Sequence, residues 1–166
     1  MTDKTKEIFR CVREIGKSFS QPDDDWIPIL ILDRPNGKRE VFSVAFGSQA
    51  DKEKFAFLLP MMFRDIRPTF AAMVISAWSV RIEKDNPNAE REARAAMDTG
   101  ISKHKDRYEV VIVTVATKDG GQEEYHAEIG RRDGRPPTLG AFTKIESDRQ
   151  EGRFANLLSR GFEAMK

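Results

Sequence analysis

Two stretches of this chain are apolar on both faces of an extended segment, and they constrain the fold more than any other feature. Residues 26–33 read Trp-Ile-Pro-Ile-Leu-Ile-Leu-Asp, and residues 108–117 read Tyr-Glu-Val-Val-Ile-Val-Thr-Val-Ala-Thr. Aliphatic and β-branched side chains at consecutive positions leave no face for water, so each stretch reads as a strand covered on both sides. A sheet containing such strands needs a layer above and a layer below it. The longest strand candidate, residues 68–82, fits the same sheet. It places Phe70, Ala72, Val74, Trp78, Val80 and Ile82 on one face, and Met73, Ile75 and Ala77 on the other.

The covering layers are legible as helices. Ile8, Val12, Ile15 and Phe19 recur at helical spacing over residues 5–19, and the run Gln21-Pro22-Asp23-Asp24-Asp25 ends that helix. Ser48 and Asp51 have the spacing of an N-terminal cap for a helix through Phe55, Leu58, Leu59, Met62 and Ile66. Pro60 lies inside it and predicts a kink or break near residues 56–59. A short helix over residues 89–97 opens at Asn86-Pro87 and closes at Gly100. Phe154, Leu157, Leu158, Gly161, Phe162 and Met165 form the apolar stripe of a last helix, which a sheet or another subunit must cover.

The turns connect these pieces into hairpins. Residues 34–38 carry Asn36-Gly37 and join the first strand to a partner over 39–46. Residues 118–121 turn the chain into a half-exposed strand in which Tyr125, Ala127 and Ile129 alternate with Glu124, His126 and Glu128. Residues 131–137 read as a loop, and 139–145 as a last short strand. The expected architecture is α+β: one domain over residues 1–166, with a mixed, mostly antiparallel sheet of about five or six strands and helices packed on its faces.

Charge and cysteine content narrow the function classes. The 28 Lys and Arg against 27 Asp and Glu give a net charge of +1, so no global field draws nucleic acid or an acidic membrane. Locally, residues 102–135 balance seven basic side chains with seven acidic ones, and residues 131–166 hold eight against five. The single Cys11 excludes an intramolecular disulfide or a cysteine-based zinc site, and fits a reducing compartment. The charged first residues do not resemble a signal peptide, and no apolar run approaches the roughly 20 residues of a membrane span. The expectation is a cytoplasmic protein.

The candidate chemistry is thin. There is no glycine pattern of a phosphate-binding loop, and His104 and His126 lack the spacing of a metal site, so no metal or cofactor is expected. Asp23, Asp24 and Asp25 could bind a hard cation, but aspartates before a strand are read first as a turn. His126 with Glu124 or Glu128 on one strand face could orient a base, and Ser76 near Trp78 could be a nucleophile, although no nucleophile elbow surrounds it. Trp26 and Trp78, and Met61, Met62, Met73 and Met97, are read as core. Arg131, Arg132 and Arg135, set among glycines and near His126, are the best anion-binding candidates, because guanidinium forks match phosphate and carboxylate. The long connection over residues 83–106 is a further candidate.

Two readings follow. The first is a non-enzymatic interaction or structural protein that buries the stripe from Phe154 to Met165 or an open sheet edge against another chain, a second copy included, as a homo-oligomer. The alternative is an enzyme or regulatory domain binding a small anionic ligand through Arg131, Arg132, Arg135 and His126.

Overall fold

The computed structural model describes residues 1–44, 46–81, 86–145 and 156–166, with Met97 by its backbone alone. Ile82, Glu83 and Phe154 therefore lie outside the described residues, as does the side chain of Met97. The elements run α1 (Asp3–Lys17), β1 (Ile29–Asp33), β2 (Arg39–Ser43), α2 (Gln49–Ile66), β3 (Phe70–Val80), α3 (Ala89–Thr99), a 3-10 turn at Ile101–Lys103, β4 (Arg107–Thr117), β5 (Gln122–Arg132), β6 (Arg135–Leu139), β7 (Thr143–Lys144) and α4 (Leu157–Glu163). The fold is α+β. One sheet has the order β2-β1-β3-β4-β5-β6, with β7 also on β5, and every described pairing is antiparallel. Among the described residues the sheet holds seven strands, close to the expected five or six; residues 131–137, expected as a loop, complete β5 and start β6.

The two-faced strands are two-faced because helices cover both sides of the sheet. On one face Ile29, Ile31, Phe70, Ala72, Val74, Val111, Val113 and Tyr125 meet Ile8 and Val12 of α1 together with Trp26. On the other, Leu30, Leu32, Ala71, Met73 and Ala116 meet Phe55, Leu59, Phe63 and Ile66 of α2 and Leu157, Leu158 and Phe162 of α4. Each Val, Leu, Ile, Met or Phe among them, once fully buried, contributes about 1.5–3 kcal/mol. The apolar face of α4 is thus covered within the chain. Its Gly161 lets the helix approach so closely that a Cβ would lie 2.8 Å from the Phe63 ring.

Local signals hold at most boundaries. Thr2 caps α1 by accepting from the Thr5 N–H. Ser48 and Asp51 form a reciprocal capping box at the start of α2, with Asp51 N–H donating to Ser48 Oγ at 3.1 Å and Ser48 N–H to Asp51 Oδ2 at 2.8 Å. Gly37, at φ +81°, turns the first hairpin. Pro60 does not end α2, which runs on to Ile66. Leu59 and Phe63 on either side of it are 0% exposed, and tertiary burial of this kind outweighs one missing backbone hydrogen bond. Leu58, expected in the apolar stripe, instead stands 38% exposed beside Phe57 and Met61.

One ionic cluster ties α1 to the first hairpin. The buried Asp33 carboxylate accepts from Arg39 Nε at 2.7 Å and Nη2 at 3.0 Å, and lies 3.1 Å from Lys4 Nζ. Arg39 also reaches Glu7. Burial pushes the Asp33 carboxyl up, but the bonds and charges of Arg39 and Lys4 outweigh it and hold the group below its ordinary value. No helix among the described residues is long and apolar enough to cross a membrane.

Candidate functional site: a free strand edge beside an apolar cleft

The lengths of neighbouring strands do not match. All eleven residues of β3 pair with β4, but β1 pairs only with Phe70 to Val74. Among the described residues no strand lies on the other edge of β3 from Ile75 to Val80. The cause is local to residues 26–28. The Trp26 side chain is fastened to α1: Nε1 donates to Val12 O at 2.9 Å, and the ring packs edge-on to Phe19. The chain leaves the sheet where Trp26 leaves it.

The polarity of that edge follows from the ladder. Val44 N–H donates to Pro28 O, so the even-numbered residues of β1 face β2 and its odd-numbered residues face β3. Lys118 N–H donates to Thr69 O, so the odd-numbered residues of β3 face β4. Ser76, Trp78 and Val80 therefore turn both N–H and C=O outward, away from β4. Beside them lies a cleft of about 830 Å³ walled by Ile27, Pro28, Val44, Phe46, Ile75 and Ala77, with Lys52 at its rim. Ile27 is 62% exposed and Trp78 41%, high values for side chains of this size.

The opposite face of the same segment is polar and braced. Ser76 Oγ donates to Asp25 Oδ2 at 3.2 Å, and the Arg107 guanidinium lies over the Trp78 ring. Arg131 pairs with Glu109 through Nε, donates from Nη1 to Pro22 O and Asp24 O at 3.1 Å each, and approaches Asp25 Oδ1 at 3.5 Å. It holds the loop before β1 against the sheet. Asp24 in turn accepts from the Gln21 and Ser20 N–H groups, which lower its carboxyl, and Asp25 accepts from Trp26 N–H. The aspartate trio closes a turn, and the described residues hold no group of three or more His, Cys, Asp or Glu arranged for a metal.

The residues singled out in the sequence are dispersed. Arg131 belongs to the α1 face of the sheet. His126, between Ile112 and Thr143, belongs to the α2 face and lies six residues from Arg132, about 20 Å along a strand. Arg132 and Arg135 oppose each other at the exposed end of the β5–β6 hairpin. Glu124 is half-buried, so desolvation raises its carboxyl despite bonds from Gln122 and Thr114, while Glu128 pairs with Arg81. Among the described residues His126 bonds to neither glutamate. Ser76 has a carboxylate beside it rather than a histidine.

Sequence reading allowed for an open sheet edge but did not place it on β3. Its signal was present in the lengths: an eight-residue strand candidate beside a fifteen-residue one. No family model, curated protein or solved structure matches the chain.

Proposed function

We propose that this protein is an interaction protein that takes an extended segment of a partner polypeptide onto the free edge of β3. The observation that carries the reading is the outward N–H and C=O row of Ser76, Trp78 and Val80 next to the apolar cleft. Strand addition uses main-chain hydrogen bonds for affinity and pockets for alternate side chains for specificity. A guest strand here would send every second side chain toward Ile75, Ala77, Val44 and Phe46, and the others toward Ser76 and Trp78.

The other edges of the sheet support the contrast. β2 is a short outer strand bearing Arg39 and Glu40, and β6 carries Pro136 and Pro137; short, charged and proline-bearing strands are how proteins blunt an edge. Positions 76, 78 and 80 carry no such device. A second copy is a poor guest: two-fold pairing of β3 centred on Trp78 would lay Ser79 and Arg81 over the other copy's apolar cleft. The reading therefore favours a different chain, in the reducing cytoplasm that a lone exposed Cys11 suits.

Panning a random peptide library against the wild type and Ser76→Pro tests this. The expected result is peptides with alternating apolar residues that bind the wild type alone and slow amide exchange at Ser76, Trp78 and Val80. Enrichment that is equal on both proteins, or absent from both, refutes it.

A further inference from the structure

We propose that a second cleft, on the far side of the molecule's sheet from α1, binds the phosphate group of a small phosphorylated molecule. It lies where the C-terminal end of α2, the start of β3, the β4–β5 turn and the last residues of the chain meet, and measures about 720 Å³. Arg64, Arg67, Lys118 and Lys166 line it; among the described residues no acidic side chain does, the one carboxylate there being the backbone carboxylate of Lys166. None of the four has an ion-pair partner among the described residues, whereas Arg34, Arg39 and Arg131 each have a carboxylate.

Helix polarity accounts for only part of this cluster. Arg64 and Arg67 stand at the C-terminal end of α2, where a cation complements the helix dipole. Lys118 comes from a different element and has no such reason to be there. Like charges gathered in a concave surface raise the local potential and concentrate anions. The Arg64 guanidinium is also oriented, since Nε donates to Ala164 O at 2.8 Å and its Nη groups are left for a ligand. Guanidinium forks with a lysine point charge are the usual means of holding phosphate. The cleft exceeds what inorganic phosphate fills and falls in the size range of small-molecule sites, so the phosphate belongs to a larger molecule.

The test uses pyrophosphate as probe, followed through the backbone amides of Thr69, Lys118 and Ala164 by NMR, and compares Arg67→Gln, Lys118→Gln and Arg132→Gln. Saturable shifts at those amides are expected, weakened about tenfold by either of the first two changes, as loss of one charge-assisted bond implies, and left intact by Arg132→Gln. Tighter binding of a nucleoside diphosphate than of pyrophosphate would support the site and extend it to a base. Absence of saturation, or equal weakening by Arg132→Gln, overturns the proposal in favour of diffuse attraction. Neither outcome touches the β3 edge, whose test is separate.

Discussion

Proline at two adjacent positions of β3 separates a free edge from a paired one. Ala77 faces β4 and is in register with Val110, so its N–H belongs to the ladder. Ala77→Pro deletes that bond and leaves a carbonyl of β4 without its donor, at a cost of about 2–3 kcal/mol. For a chain of this length that lowers Tm by roughly 4–12 °C. Ser76 faces the cleft edge, so Ser76→Pro removes no ladder bond. It loses the Ser76–Asp25 contact of 3.2 Å, worth about 0.5–1.5 kcal/mol, and restricts the unfolded chain, which returns about 0.4–1 kcal/mol. The net change should stay within about 1 kcal/mol, leaving a gap of about 2 kcal/mol between neighbours. Urea denaturation with unchanged m-values measures it. Equal losses for the two variants would mean that the outer edge of β3 is already occupied, and the argument for strand addition would fall.

Three other outcomes follow from the packing. Gly161→Ala should destabilise by about 1 kcal/mol, because overpacking against the fully buried Phe63 ring outweighs alanine's helix propensity; adding Phe63→Leu should recover part of the loss, whereas outright stabilisation in denaturant titrations would contradict the close approach. The depressed Asp33 carboxyl contributes stability that is present above the ordinary value of 3.8 and disappears as pH falls through its lower folded value, so thermal melts of Asp33→Asn should lack that acid-side decline while starting less stable near neutrality. Arg131→Ala should release the loop at Pro22 and Asp24, costing about 1–2 kcal/mol and speeding exchange at the Trp26 amide; an unchanged exchange rate would show that the loop holds without it.

Much of the fold is legible in single residues. Ser48 and Asp51 announce α2, Asn36-Gly37 announces the first hairpin, and the alternation of Tyr125, Ala127 and Ile129 announces β5, because each feature acts over a few residues. The misreadings share a cause. Residues 131–137 carry Gly134 and two prolines and read as loop, yet they pair across the hairpin, with Pro136 and Pro137 opposite Arg131 in an irregular register that needs no proline N–H. Pro60 reads as a break, yet burial on both sides of it carries α2 through. The arginines read as one group because their neighbours in sequence are visible, while the spatial neighbours that draw Arg131 away from Arg132 and Arg135, Glu109 and the Pro22 carbonyl, are not.

The sequence by itself determined most of the strands and helices and that the sheet is covered on both faces, since periodicity and two-sided apolarity are local properties of side chains. Only the tertiary structure decided which edges of the sheet are paired. That depends on how far each strand runs beside its neighbour. Here β1 stops short because Trp26 finds its hydrogen bond on α1, 14 residues away in the chain. The same holds for the basic cleft, whose four cations come from three distant stretches and meet only when α4 packs against α2.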